Sequence, residues 1–175
     1  EAVQAAAKAK PRAENVDIPP DGVEPEVERR AGGDRQKVLE AYNRRGIDDP
    51  TGLCLPAGIP RIVMLGLFPQ QFVQTADQIV MLYEYMNVFR VIPFTDKHPD
   101  DIIPSYMGHS VGRWEGNTLV VDTIGFNDKT WLAGTGTFHT DALHTVERFT
   151  RVDKDRIDYE VTMDDPNVFT KPWKL

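Results

Sequence analysis

Cysteine is nearly absent from this chain of 175 residues: Cys54 stands alone, which excludes an internal disulfide and a zinc site built from several cysteines. No apolar run approaches the roughly eighteen residues that a membrane-spanning helix needs. The net charge is −7, and no cluster of lysine and arginine reverses it locally. We therefore expect no membrane span and no nucleic-acid partner. We find no phosphate-binding glycine loop and no nucleophile elbow, and we expect no cofactor.

Large apolar side chains are also scarce before residue 48. Residues 1–14 are rich in alanine and predict a helix that Pro11 interrupts. Residues 16–30 are acidic and contain prolines, which predicts an extended arm, and residues 35–45 predict a second short helix. We therefore divide the chain into an N-terminal helical and extended arm, residues 1–47, and a core-bearing domain, residues 48–175. The arm is a candidate contact for a homo-oligomer.

The pattern after residue 48 is typical of β-structure. Tight turns separate short segments rich in β-branched and aromatic residues, which favours a mainly β fold with an antiparallel meander. Such a meander closes as a barrel or stacks as a sandwich, and we predict a lipocalin-like barrel. The predicted strands are residues 62–67, 72–75, 78–85, 88–94, 110–115, 118–124, 143–152 and 156–163.

The central hairpin has a turn that the sequence locates at Gly116-Asn117. This turn places Trp114 opposite Leu119. On the other surface it makes Arg113 and Asp122 diagonal neighbours, close enough for an ion pair. Two interpretations remain open: a salt bridge on a partly solvated face, or an inward carboxylate that an arginine holds at a pocket wall.

The last hairpin turns at residues 153–155 and allows two registers. With a three-residue loop, Phe149 faces Tyr159 and Glu147 joins the apolar surface; with a two-residue loop, Arg148 does. We prefer the first register because it pairs aromatic with aromatic and acid with base. In either case an ionisable group enters an apolar layer, and a buried charge needs a partner or a wet cavity. The alternatives are a small-molecule pocket with a polar lining and a buried structural ion-pair network.

Two histidines are the candidate proton-transfer groups, His139 and His109, because imidazole titrates near neutral pH. Their candidate carboxylate partners are Glu147 and Asp122. His98 lies among charged residues and proline, and we expect it to be solvated. A metal site around His139 and His144 is a further alternative, but the spacing matches no known ligand signature, and we predict no metal. The candidate substrate-binding residues are Tyr83, Arg90, Arg113, Trp114 and Trp131.

Several phrases carry a resemblance to a known group of proteins. They are CLPAGIPR at residues 54–61, MGHSVGRWEGNTLVVDTIGFNDKTWL at residues 107–132, HTDALHTVERF at residues 139–149 and DDPNVFTKPW at residues 164–173. The chain resembles a family of uncharacterised bacterial proteins that are predicted to be exported. The resemblance implies a periplasmic or extracellular location and supplies no activity. The phrase RWEGNTLVV is also similar in pattern to strands of lipocalin-like barrels.

Three functions follow from these expectations. The first is an enzyme without a cofactor that acts on a small, mostly apolar organic molecule by general acid/base chemistry, as a lyase, isomerase or hydrolase. The second is a binding protein of the same fold that holds a hydrophobic small molecule and performs no chemistry. The third is an exported carbohydrate-interacting module that uses exposed aromatic side chains.

Overall fold

The computed structural model describes residues 49–134 and 136–175, so the predicted arm of residues 1–47 lies outside the described residues. Helix is confined here to two short 3₁₀ turns, Pro50–Leu53 and Tyr85–Asn87. Neither is long and apolar enough to cross a membrane. The strands are β1 (Gln70–Gln74), β2 (Gln78–Tyr83), β3 (Val88–Pro93), β4 (His109–Glu115), β5 (Thr118–Ile124), β6 (Trp131–Ala133), β7 (Thr137–Phe138), β8 (His144–Arg151), β9 (Ile157–Asp164) and β10 (Trp173–Lys174).

The strands form three antiparallel sheets, ordered β1-β2-β3, β10-β9-β8-β5-β4 and β6-β7. The mainly β, antiparallel fold is confirmed, but the closed barrel is wrong, because none of these described sheets closes on itself. Closure would need a continuous ladder between β3 and β4. These two strands share one isolated parallel bridge, Phe94 with Gly112. At the far edges, β1 pairs with β2 and β10 pairs with β9, and no ladder joins β1 to β10 in the described part of the chain.

Both predicted hairpin registers are confirmed. In the central hairpin Trp114 pairs with Leu119, and Gly116 takes a φ of 63°. This left-handed conformation suits glycine and the twist of a two-residue hairpin loop. In the last hairpin Phe149 pairs with Tyr159, as the three-residue loop requires. The predicted strand at residues 62–67 is wrong, since these residues form consecutive turns.

The core lies between the two larger sheets. Phe72 of β1 packs edge-on against Phe149 of β8, with ring centroids 5.6 Å apart. One cluster of buried side chains joins the two sheets with the segments around them; it includes Ile59, Ile79, Met81, Ile92, Leu119, Val121, Phe126, Leu132, Val161, Met163 and Trp173. Burying each large apolar side chain contributes roughly 1.5–3 kcal/mol, so this shared layer is what fixes one sheet on the other.

Candidate functional site

A buried ion pair joins the two large sheets. Arg90 of β3 is 3% exposed and Glu147 of β8 is 0% exposed. The guanidinium and the carboxylate meet in a two-pronged arrangement, with Nη2 2.6 Å from Oε2 and Nη1 3.2 Å from Oε1. The predicted inward position of Glu147 is correct, and its partner is Arg90, one of the candidate substrate-binding residues.

Hydroxyl groups complete this pair. Arg90 Nη2 also donates to Ser110 Oγ at 2.9 Å and to Thr123 Oγ1 at 3.1 Å. The Tyr159 hydroxyl donates to Glu147 Oε1 at 3.0 Å. Burial, reinforced by the negative charge of Glu147, raises the pKa of the Tyr159 phenol well above its usual value, so the phenol stays protonated and keeps donating.

Arg90 keeps its positive charge in this network. Burial alone would lower the pKa of the guanidinium, but the adjacent carboxylate of Glu147 raises it. Tyr83, another predicted binding residue, is buried beside the pair, with its hydroxyl 3.4 Å from Arg90 Nη1. Burial raises the pKa of the Tyr83 phenol as well. Arg90, Glu147 and Tyr83 therefore form one hydrogen-bonded network, in which the positive and negative charges cancel. Within it, the buried Nε of Arg90 has no hydrogen-bond partner among the described residues.

A cleft of about 380 Å³ opens beside this network, between β3 and β4. It exists because the two strands touch only near one end. At that end Gly112 approaches so closely that a Cβ there would lie 2.7 Å from Ile92 Cγ2. Away from the bridge the strands diverge. The cleft is lined by Pro56, Asn87, Val88, Phe89, Arg90, Val91, Ser105, Tyr106, Met107, Gly108, His109 and Ser110.

His109 stands at the start of β4, on the wall of this cleft. The preceding Gly108 has a φ of 66°, and a Cβ there would lie 2.8 Å from the carbonyl oxygen of Ile124. Only glycine fits this turn, and it brings the His109 backbone against β5. The Nδ1 of His109 lies 2.9 Å from the Nδ1 of His98, in the loop that precedes β4.

Asp122 of β5 is the carboxylate at the other end of this contact. Its Oδ1 accepts from His98 Nε2 at 2.9 Å, and its Oδ2 accepts from His144 Nε2 at 3.0 Å. The hydrogen bond from His144 lowers the pKa of Asp122, and the one from His98 adds to it, although burial opposes both. Asp122 in turn raises the pKa of His144. The carboxylate is thus ionised at neutral pH and orients two imidazoles.

The hydrogen bonds from Asp122 through His98 to His109 determine which ring nitrogen of each histidine carries a proton. Because the carboxylate only accepts, His98 Nε2 carries its proton, and the Nδ1 of a neutral His98 is then an acceptor. His109 must donate from Nδ1, which leaves the lone pair on its Nε2. Burial, with a smaller contribution from His98, lowers the pKa of His109, so its ring is neutral near pH 7. The arrangement is a carboxylate, an orienting imidazole and a terminal basic imidazole at the cleft.

A second cavity, of about 300 Å³, borders the Asp122–His98–His109 series. Its lining includes His98, Asp122 and Arg113. The expected ion pair between Arg113 and Asp122 does not form; Arg113 Nη2 instead bonds Glu115 Oε1 at 2.8 Å, on the solvent side of its own strand. The histidines occupy both carboxylate oxygens of Asp122, which leaves Arg113 to its neighbour two residues away.

The remaining predicted site residues lie elsewhere. His139 is fully buried, its Nδ1 donates to the Thr140 carbonyl at 2.8 Å, and its Nε2 accepts from Thr130 Oγ1 at 2.7 Å. Burial lowers the pKa of His139, so it is a neutral packing residue with both nitrogens engaged. Trp114 is 44% exposed on β4, and Trp131 lies in the small sheet of β6 and β7.

Sequence reasoning missed two members of the site, His98 and His144. We expected His98 to be solvated because charged residues flank it, yet its side chain is 15% exposed and bonded at both nitrogens. A usable signal was present for His144, which shares a face with Asp122 once β5 and β8 are paired. No such signal existed for His98, because it lies in a loop.

Within residues 49–134 and 136–175, no group of three or more histidine, cysteine, aspartate or glutamate side chains is arranged to hold a metal ion. No protein-family model, no curated protein and no solved structure matches this chain.

Proposed function

We propose that this protein is an enzyme that transfers a proton to or from a small, mostly apolar organic molecule bound in the cleft between β3 and β4. His109 is the proposed general base, and His98 and Asp122 orient it. The single observation that carries the proposal is the hydrogen-bonded series Asp122–His98–His109, which ends at a cleft of ligand size. Export of the protein, which the sequence resemblance implies, belongs to this proposal too.

The chemistry of the series follows from its tautomers. His109 Nε2 removes a proton from the bound molecule, which makes His109 an imidazolium. His98 then receives the Nδ1 proton of His109, and the charge moves next to the carboxylate of Asp122, which stabilises it. The same group returns the proton in the second half of the reaction. This cycle suits an isomerase or a lyase, and also a hydrolase in which His109 activates water.

The apolar walls fit this role. Pro56, Phe89 and Met107 provide surface for the body of the molecule. Low polarity around His109 keeps its neutral form dominant, which is the form that a general base needs. The neighbouring Arg90 is already neutralised by Glu147, so it does not hold His109 in competition with a substrate.

Proton exchange from a bound ligand tests this proposal directly. Small uncharged ketones with acidic α-hydrogens would be incubated with the protein in D₂O, and deuterium incorporation followed by NMR. We expect exchange above the buffer rate, and we expect His109→Gln to lower it by about 100-fold or more. Glu115→Gln, an exposed change at the other end of the same strand, is the control and should leave the rate unchanged. Equal rates for the wild type and His109→Gln would exclude His109 as the base.

The pH dependence adds a second readout. Since the pKa of His109 is lowered from 6.5, its basic form persists to more acidic pH than that of a free imidazole. The exchange rate should therefore fall to half of its plateau value only at a pH below 6.5. A rate that falls already between pH 8 and pH 7 would contradict a neutral His109.

A second candidate is a binding protein that holds a hydrophobic small molecule without chemistry. The exposure of Phe89, 62%, beside a mostly apolar cleft favours it. This candidate predicts that Phe89→Ser weakens ligand binding, and that no ligand exchanges protons at His109. The carbohydrate-interacting module has less support, because Trp173 is buried and Trp131 and Trp114 lie in different sheets.

A further inference from the structure

One wall of the cleft is the edge of β3, and the other is the turn before β4 together with the first two residues of β4. Five consecutive residues, 87–91, line one wall, and six consecutive residues, 105–110, line the other. Residues 88–91 belong to β3, and side chains of a strand alternate between its two faces, so four consecutive side chains of β3 cannot all line one cavity. Consecutive lining residues therefore mean that the backbone itself faces the cleft, along the edge of β3 on one side.

The hydrogen-bond direction along β3 can be assigned. The N–H of Phe94 donates to the carbonyl of Asp77 at 2.8 Å, toward the β2 side. Backbone groups alternate along a strand, so those of Ile92 and Arg90 also point toward β2. The groups of Val91 and Phe89 point the opposite way, toward β4.

The pairing of β2 supports this assignment independently. The N–H of Glu84 donates to the carbonyl of Pro69 at 3.1 Å, so the even-numbered residues of β2 bond on the β1 side. Leu82 and Val80 are the residues opposite Phe89 and Val91. These are consequently the non-bonded pairs of the β2–β3 ladder. In the described residues, β4 makes no ladder with β3 that would occupy the groups of Phe89 and Val91.

The cleft also offers no free charge. Arg90 is the lining residue with a permanent charge, and Glu147, Ser110 and Thr123 already hold its guanidinium. Of the guanidinium only the buried Nε lacks a hydrogen-bond partner among the described residues, and Glu147 already balances the positive charge. An anion that took the place of Glu147 would leave a buried carboxylate without its cation. That loss costs several kcal/mol. His109, the histidine among the lining residues, is neutral in the tautomer deduced above.

We propose that the molecule bound in this cleft is uncharged and carries amide groups, which the free edge of β3 recognises through the backbone N–H and C=O groups of Phe89 and Val91. These groups repeat about 7 Å apart, twice the rise of a strand residue, which is the spacing of a peptide-like diamide. The inference rests on the proposed function for the site and adds the chemical class of its ligand.

Three probes that share a phenyl ring distinguish an uncharged diamide ligand from a charged ligand and from a purely apolar one. They are N-acetylphenylalanine methylamide, which is an uncharged diamide, N-acetylphenylalanine, which is a carboxylate at pH 7, and toluene. Titration of the full chain would be followed in ¹⁵N NMR spectra. We expect the diamide to bind about tenfold more tightly than either of the others and to shift the amide signals of Phe89 and Val91. Equal or tighter binding of the carboxylate or of toluene would overturn the inference.

Proline substitution isolates the backbone donor. Val91→Pro removes the N–H that faces the cleft, which an edge strand tolerates, and Val91→Ala removes the side chain but keeps that N–H. We expect Val91→Pro to weaken diamide binding about fivefold and Val91→Ala to leave it within about twofold. Gln74→Pro, on the free edge of β1 in the same sheet, controls for strand damage and should leave diamide binding unchanged. Equal binding by Val91→Pro and Val91→Ala would contradict edge recognition.

The same titrations distinguish this inference from the proposed function. If toluene or the carboxylate shifts the His109 signals and the diamide does not bind, the ligand class is wrong and the base stands. If the diamide shifts Phe89 and Val91 but leaves His109 unchanged, edge recognition is supported and the acid/base role of His109 is contradicted.

Discussion

At the scale of single residues, the stability of the protein depends on each buried charge having a partner of opposite charge. Arg90 and Glu147 have two contacts with each other, and hydroxyl groups bond to both side chains, while the buried Nε of Arg90 has no partner among the described residues. A buried pair of this kind adds little to stability over an apolar pair of the same volume. Removing one partner is different, because the other charge is then left in a medium of low polarity.

Glu147→Gln keeps the shape of the side chain and removes its charge. We expect it to lower the free energy of unfolding by about 3–5 kcal/mol, measured by urea denaturation at pH 7. The matched control is Glu115→Gln, which loses the contacts to Arg113 and Arg148 on the exposed surface. Water screens both ion pairs, so their loss should leave the free energy of unfolding unchanged within error. Equal effects of the two substitutions would contradict the importance of the buried pair.

At the scale of the strand and the turn, the central hairpin depends on a left-handed residue. Gly116 has a φ of 63°, and a Cβ added there would contact nothing within 4 Å. The space is open, so the cost of a side chain is that of the backbone conformation alone. Gly66 provides the comparison, since a Cβ there also contacts nothing within 4 Å and its φ lies outside the left-handed region.

Gly116→Ala should therefore destabilise the protein by about 1 kcal/mol, and Gly66→Ala should be neutral or slightly stabilising. Urea denaturation of the two variants measures the difference. If both variants unfold at the same urea concentration, the strain does not lie at the turn of this hairpin.

The hairpins were predictable because two local signals agree in them. Each has an alternating apolar pattern and a short turn, and together these fix the register without any tertiary information. Strands β6, β7 and β10 have two or three residues each, which is too short for a period to show. They form because flanking segments hold them in place.

The candidate site was predictable only in part, for a related reason. Pattern alone places Glu147 and Arg90 in the interior, but they are 57 residues apart and in different sheets, so their contact depends on how the sheets pack. The connection from Asp122 to His109 passes through His98, whose loop has no period at all. The prediction of a closed barrel was wrong for the same reason. Whether β3 pairs with β4 depends on long-range packing, which the alternating pattern within each strand does not specify.

At the scale of the whole molecule, the point where β3 meets β4 decides both the packing of the sheets and the shape of the cleft. A single bridge joins Phe94 to Gly112, and the absence of a side chain at Gly112 lets Ile92 pack against β4. Ile92 is fully buried, so it cannot turn away into solvent. Any group added at Gly112 must separate the two strands or displace this isoleucine.

Gly112→Ala should lower the free energy of unfolding by about 1–3 kcal/mol, because its Cβ would lie 2.7 Å from Ile92 Cγ2. Ile92→Leu removes that branch and conserves volume, so alone it should cost less than about 1.5 kcal/mol. The double variant should lose less free energy of unfolding than the two single variants together, by about 0.5 kcal/mol or more, because the methyl group that clashes is gone. Urea denaturation of all four proteins gives this coupling.

Simple additivity would mean that the strands separate instead of compressing Ile92. The cleft would then widen, and the ¹⁵N signals of Phe89 and Val91 would shift in Gly112→Ala without any ligand.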